Sequence, residues 1–549
     1  MRAVGFSVAV ACCPLAAHAA EPASKATAAP IENAFEAAQW AQLSSAGNAL
    51  QQLGQRAAAG SPELAALVRQ RQDLVTLADA REGELSQAAA LGGDGEARVV
   101  RLRGEIGSLR SEIAALDADL LKAFPRYSDL ASPAPLSIPD VQAILEPDES
   151  LLLFLSARDN VFIWAISSKA AAWHALPYGG ETLAEDITLL RSQLDPNAAT
   201  RGAVSLSQNA ANGPRVPAFD RLRARVLYSE LIKPVEHVLQ PTKHVFVVGD
   251  GPLAGLPLSV LVASDTGGED TDPEALRKTD WLMKRYAFTT LPSVNSLNVI
   301  RKYPPLRGAG QRRAFAGFGA PVLGGQKADI VVASAAFFRG SLADVEAVRD
   351  LAPLPQTGPE LKKLAGVLGV GDEALYLGPR ATEIAVKRAD LSAVDVLAFA
   401  THGLLSGELQ GLAEPALVLT PPEAASVEDD GLLTASEVAN LKLSADWVIL
   451  SACNTAGGDG RPDAEGLSGL ARAFLYAGAR AILVSHWPVR DDAAARLTTD
   501  TIAALGKDKI RRSEALRQAM LGVMNDKRDP SLAHPSAWAP FVIVGEGGY

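Results

Sequence analysis

Two stretches decide how this chain folds: Val394-Asp-Val-Leu-Ala-Phe-Ala-Thr-His402-Gly403 and Trp447-Val-Ile-Leu-Ser-Ala-Cys453-Asn-Thr-Ala-Gly457-Gly458. Each is an apolar run of strand length that ends in one reactive side chain followed by small residues. Parallel α/β sheets form their ligand crevices at the carboxyl ends of strands, so this spacing predicts that His402 and Cys453 meet at one sheet edge. Thiolate is the nucleophilic form of cysteine, and a neighbouring imidazole lowers the thiol pKa or supplies a proton. Gly403 lets the backbone approach a substrate carbonyl, and its N–H together with that of Cys453 can form an oxyanion hole. A lone cysteine beside an apolar run is also the pattern of a small buried hydrophobe. The companion His402, about 50 residues upstream, is what favours chemistry.

Outward from these strands, β and α patterns alternate, which reads as an α/β fold with a mostly parallel sheet flanked by helices. Strands are predicted at Leu151–Leu155, Val161–Ile166, His244–Gly249, Phe315–Gly319, Ala481–Trp487 and Phe541–Val544. Helices are predicted at 181–194, before Pro234, at 359–368, from a Thr382 cap, at 467–475 ahead of Gly478, and at about 491–505 and 513–525. Leu404–Leu443 is a long insertion between the two reactive strands. His486, beside Trp487, and His534, before Pro535, read as structural, and His174, His237 and His244 carry no supporting pattern. No Gly-x-Ser-x-Gly elbow and no Walker-type glycine loop occurs, and Gly317-Phe-Gly319 is too short for a dinucleotide site.

The first part of the chain is different in character. Residues 32–124 read as a helical region, and Val99, Leu102, Ile106, Leu109, Ile113, Leu116 and Leu120 alternate by threes and fours as a heptad seam. The seam serves either a helical hairpin packing within the chain or pairing with a partner protein. Residues 1–20 carry one positive charge, a short apolar stretch and Ala17-x-Ala19, the pattern of a secretory signal. Export to the periplasm or beyond is the expectation, with Cys12 as an alternative lipidation site and the cytoplasm as the location if the leader is misread. Residues 21–31 read as a Pro/Ala-rich linker, and no later segment is long and apolar enough to span a bilayer.

Of 549 residues, 48% are apolar and 21% charged, ordinary for a folded chain of two or three domains. The formal charge of −11 argues against a nucleic-acid binder, which needs clustered Lys and Arg. Only Cys12, Cys13 and Cys453 are available, so no zinc spacing exists and no cofactor is expected. After removal of the leader, Cys453 has no intramolecular disulfide partner. It is then either inert or a reactive thiol.

The chain resembles the CHAT family, caspase-like peptidase domains usually attached to tetratricopeptide repeats. The resemblance lies in Phe399-Ala-Thr-His402-Gly403, Leu450-Ser-Ala-Cys453-Asn-Thr, Glu465-Gly-Leu-Ser-Gly-Leu-Ala-Arg-Ala-Phe-Leu-Tyr-Ala-Gly-Ala-Arg480, Ser485-His-Trp-Pro-Val489 and His534-Pro-Ser-Ala-Trp538-Ala-Pro-Phe541. Fainter echoes are Phe124-Pro-Arg-Tyr127, Gly251-Pro-Leu and Leu256-Pro257, and Leu354-Pro355-Gln-Thr357. It covers about 125–549 and implies a degenerate lobe (125–310) followed by an active lobe (311–549). By position, the resemblance makes Cys453 the nucleophile and His402 the acid/base of a cysteine endopeptidase acting on a protein or peptide. The alternative is a catalytically idle scaffold whose helices recruit a protein partner. Only three helices precede the domain where full repeat arrays are common, and the apparent export is also unusual for the family.

In caspase-like folds the loop after the cysteine and the end of the following strand line the pocket for the residue before the scissile bond. Here these contain Asp459, Asp463 and Glu465, then Arg490, Asp491 and Asp492. The acidic residues either cap helices or read a basic substrate side chain, whereas Arg490 would pair with an acidic one or silence a neighbouring Asp.

Overall fold

The computed structural model describes residues 28–41, five helical positions between 74 and 85, and 96–123. It further describes 135–195, 217–302 except 250 and 266, 312–325, 338–339, 342–404, 415–451 except 427, 469–508 and 510–548. The expected signal at 1–20, Cys453, Asp459, Asp463 and Glu465 lie outside the described residues. No helix among those described is long and apolar enough to cross a membrane.

The centre of the molecule is one sheet. Its strands are β1 (Glu149–Ser156), β2 (Val161–Ser167), β3 (Ala171–Leu176), β4 (His244–Val248), β5 (Ala287–Thr290), β6 (Arg313–Gly319), β9 (Leu375–Leu377), β10 (Val394–Ala400), β14 (Trp447–Ser451), β15 (Ala481–Ser485) and β16 (Phe541–Gly545). Two small ladders complete the count: β7 (Phe338–Arg339) with β8 (Leu342–Ala343), and β11 (Gly403–Leu404), β12 (Ala416–Val418) and β13 (Leu432–Thr434). The eleven strands run β3-β2-β1-β4-β5-β16-β15-β14-β10-β6-β9. All neighbours are parallel except at β1–β2, β2–β3 and β15–β16. This is the α/β class the sequence implied.

The sheet is apolar on both faces because helices cover both, and its strands therefore read as continuous apolar runs. Period-two alternation divides each run between two cores. In β14, Ile449 packs in one core with Leu483, Leu497 and Leu516, whereas Val448 and Leu450 pack in the other with Phe399 and Phe474. The first core receives helices α3 (Gly180–Leu194), α4 (Arg221–Leu231), α8 (Asp491–Asp508) and α9 (Arg512–Met524); the second receives α7 (Gly469–Ala477).

The two stretches expected as separate lobes are joined in this sheet. The last strand, β16, inserts between them, antiparallel to β15 and parallel to β5 through Val544 opposite Thr290. Arg191 of α3 strengthens the junction by donating to Gly255 O at 2.7 Å and to His486 O at 2.9 Å.

Helix α1 (Ala28–Ala41) begins inside the stretch read as a linker. Pro30 falls in its first turn, where the missing N–H has no intrahelical acceptor to lose. The helix packs on the β1–β2 face: Phe35 and Ala38 are buried with Trp164 and Val141, and Gln39 exchanges two hydrogen bonds with Leu136 at 2.8 and 3.0 Å. Helix α2 (Glu96–Ala123) turns the predicted seam inward, with Leu102, Ile106 and Leu116 buried. Arg81 pairs with Glu105 at 3.1 Å and Ala78 is buried, so an earlier helical segment of the same chain lies against α2.

Candidate active site

β10 and β14 are adjacent parallel strands in the part of the sheet built from residues 311–549, and their register pairs Ala400 with Ser451. His402 follows Ala400 by two residues, and Cys453 follows Ser451 by two. Neighbouring strands lie about 4.8 Å apart. The topology thus delivers the histidine and the chain leading to the cysteine to one carboxyl edge at equal distance from a shared pair.

Three contacts fix His402. The preceding Thr401 is buried, and its hydroxyl donates to Val418 O. Val418 N–H donates to His402 O at 3.0 Å. The imidazole Nε2 lies 2.8 Å from Ala352 O. A carbonyl only accepts, so Nε2 carries the hydrogen and the lone pair of the neutral ring is on Nδ1. Ala352 is itself held in place because Leu351 is buried with Leu404, Val418 and Leu432 in a small apolar cluster beneath the three-stranded ladder.

The ladder also orients Gly403. It stands opposite Leu417, and the flanking bond from Val418 N–H to His402 O makes this a pair without mutual hydrogen bonds. The N–H of Gly403 therefore points away from β12. It faces the outer edge of the ladder, since β11 is that sheet's terminal strand.

Helix α5 (Thr357–Val367) closes over these strand ends. Gly317-Phe-Gly319 makes its approach possible: a Cβ on Gly319 would lie 2.5 Å from Ala400 O and 2.7 Å from Leu361 Cδ1. Sequence reasoning excluded a dinucleotide site here but missed this packing role. It also missed Ala352, whose contribution is a backbone carbonyl, and Glu360, which reads as an ordinary acid in a helix's first turn. Glu360 is buried within α5 and accepts from Ser451 Oγ at 3.0 Å.

The expected specificity residues divide. Asp491 begins helix α8. Asp492 is exposed and held by Arg490 through Nε at 3.0 Å and Nη2 at 2.7 Å, which keeps its carboxyl below the usual carboxylate range. Arg490 also pairs with Asp529 at 2.8 Å.

His486 and His534 sit in the core. Burial, with Arg191 nearby, pushes His486 down to about 3, and burial pushes His534 down to about 4, so both are neutral. His534 Nδ1 accepts from Ser536 N–H at 3.2 Å as the cap of the short helix Pro535–Trp538. No group of His, Cys, Asp and Glu among the described residues has the geometry of a metal site.

The model of the CHAT domain matches residues 221–546. This chain belongs to the CHAT domain family. Its curated relatives include Tetratricopeptide repeat protein 28 of Mus musculus, 28% identical over 367 residues that make up 58% of this chain and 13% of the relative. The Homo sapiens protein of the same name is 27% identical over 60% of this chain and 13% of its own length. The chain thus spans about an eighth of either relative. Among solved structures, the Saccharomyces cerevisiae separase–securin complex aligns with a TM-score of 0.39 at 10% identity, covering 91% of this chain and 40% of that one. A protease structure aligns with a TM-score of 0.33 at 11% identity, covering 60% and 68%.

Proposed function

We propose that this CHAT-family chain is a cysteine peptidase in which Cys453 is the nucleophile and His402 the acid/base. The observation that supports the reading is the register of β10 on β14, which pairs Ala400 with Ser451; in the sequence His402 and Cys453 each follow that pair by two residues. In the proposed reaction the thiol proton passes to His402 Nδ1, and the thiolate attacks the scissile carbonyl. The N–H groups of Gly403 and Cys453 receive the oxyanion, and His402 returns the proton to the leaving amine. Water, deprotonated by the same imidazole, then hydrolyses the thioester. Removing the nucleophile from such a site costs several orders of magnitude in rate. Cys453→Ala is expected to abolish cleavage of a peptide library by the purified protein; equal cleavage by wild type and variant would refute the proposal.

A basic residue before the scissile bond is part of the same proposal. Since Arg490 neutralises Asp492, the recognising carboxylate is sought among Asp459, Asp463, Glu465 and Asp491. A charge-assisted contact of this kind is worth about 1.5–3 kcal/mol, roughly a tenfold to hundredfold preference. Matched substrates carrying Arg, Leu and Asp at that position test it, and comparable rates on all three would remove the charge from the account. We further propose that residues 1–20 act as a secretory leader, so that the enzyme works in the periplasm or outside the cell. Cell fractionation finding only full-length chain in the cytoplasm would overturn that part alone.

A second reading, an interaction scaffold with an idle dyad, draws on the relatives' description as tetratricopeptide repeat proteins and on the seam of α2. A peptide carrying a thiol-reactive warhead separates the two. Selective labelling of folded protein at Cys453 near neutral pH supports the enzyme, whereas labelling only after unfolding supports the scaffold.

A further inference from the structure

We infer that Glu360 is a positioning residue that fixes the end of β14 at Ser451 and thereby sets the direction in which the chain departs toward Cys453. The inference rests on the peptidase reading above. A carboxylate is costly to bury unless its oxygens are satisfied, and Glu360 is only 4% exposed. Its two oxygens face different elements: Oε2 accepts from Ser451 Oγ at 3.0 Å, and Oε1 lies 2.9 Å from Thr498 Oγ1 on α8. Thr498 Oγ1 is also 3.0 Å from Ala494 O, so its one hydrogen is shared between the Glu360 carboxylate and a carbonyl of its own helix. The carboxylate is therefore a strut between a helix and the last residue of the nucleophile strand.

Ala352, whose carbonyl holds His402 Nε2 at 2.8 Å, begins the same short segment that reaches Glu360 within α5. One stretch of chain, 352–360, thus touches the histidine at one end and the departure of the cysteine strand at the other. A Cβ on Gly319 would lie 2.5 Å from Ala400 O and 2.7 Å from Leu361 Cδ1, so the missing side chain is what lets this segment lie close to the strand ends. A misplacement of reacting groups by about 1 Å is enough to cost about a hundredfold in rate, so a strut of this kind belongs to the catalytic geometry and not only to stability.

The test compares wild type, Glu360→Gln, Glu360→Ala and Ser451→Ala in the full chain, with two readouts. The first is kcat and KM per active site, titrated with the peptide warhead so that misfolded protein drops out. The second is the pH profile of Cys453 alkylation by iodoacetamide, which needs no turnover. Glu360→Ala and Ser451→Ala are expected to lower kcat about 10–100-fold with KM within about threefold. They are also expected to move the alkylation midpoint up toward the ordinary cysteine value of about 8.5, because the thiol no longer faces the imidazole. Glu360→Gln, which keeps an oxygen and a donor for the two hydroxyls, is expected to stay within about fivefold of wild type with its midpoint in place. An unchanged midpoint in Glu360→Ala would mean a purely structural role and overturn the inference. A midpoint lowered in both Glu360→Ala and Glu360→Gln would mean a charge effect and overturn it equally. Absence of Cys453-dependent turnover in wild type counts against the peptidase reading, and the alkylation profiles still decide the role of Glu360.

Discussion

At the scale of single residues, the account turns on how a histidine at a strand end is held in one orientation. Ala352 O selects the tautomer, Val418 N–H holds the carbonyl of His402, and the Thr401 hydroxyl reaches the carbonyl of Val418. Replacing Thr401 by the isosteric valine removes one buried hydrogen bond and is expected to cost about 1 kcal/mol. Denaturant titration measures this, and a loss indistinguishable from zero would show that the hydroxyl does not secure the turn. His402 and Gly403 stand just past the end of β10, where the strand-then-small-residue pattern put them, whereas Cys453 lies outside the described residues. Ala352 was not legible in the sequence, since a backbone carbonyl leaves no trace in residue type. Glu360 was hidden because an acid early in a helix has an ordinary explanation in the helix dipole. Asp492, one of the candidate substrate-reading carboxylates, is paired with Arg490, the silencing partner the sequence also offered.

At the scale of elements, the strongest apolar runs predicted strands well and the weaker ones did not. β1, β2, β4, β6, β10, β14, β15 and β16 all begin within a few residues of where the patterns put them. β3, with alanines on an exposed edge, and β5, only four residues long, lacked the length and apolar density that mark a strand. The heptad seam of α2 was legible, and its buried positions fit packing inside the chain, with Arg81 and Glu105 tying the neighbouring segment to it. The approach of α5 to β6 and β10 was not legible, because it depends on what a glycine lacks. Gly319→Ala tests it: the new methyl would meet backbone at 2.5 Å, so helix or strand must shift. Overpacking of this kind costs about 1–3 kcal/mol, and the variant is expected to lose both thermal stability and kcat. Full activity with an unchanged melting temperature would show that α5 has room to spare.

At the scale of the whole molecule, the order of strands decides what the sequence alone left open. Two lobes were expected from the resemblance, and strand patterns do not reveal that the final strand lies between them. The junction also gives the protein a characteristic response to acid. His486 and His534 are held neutral at about 3 and about 4, below their ordinary value of 6.5. The unfolded chain therefore binds protons that the folded chain refuses, and stability must fall as pH drops below about 6.5 toward 4. Their contribution is fully present above that window. Melting temperatures at pH 7.5 and 5.0 are expected to show a clear loss in wild type and a smaller one in His486→Gln. Equal losses would mean that His486 is not the group taking up the proton.

A thiol activated by His402 reacts faster than a free one, so covalent labelling of Cys453 reads the proposed pairing. Folded wild type and His402→Ala are each treated with a peptide warhead at pH 7, and the rate at Cys453 is followed by intact mass and peptide mapping. The account predicts one equivalent on wild type, at Cys453, at a rate about a hundredfold or more above that of His402→Ala and above that of the unfolded chain. Equal rates in all three would contradict it.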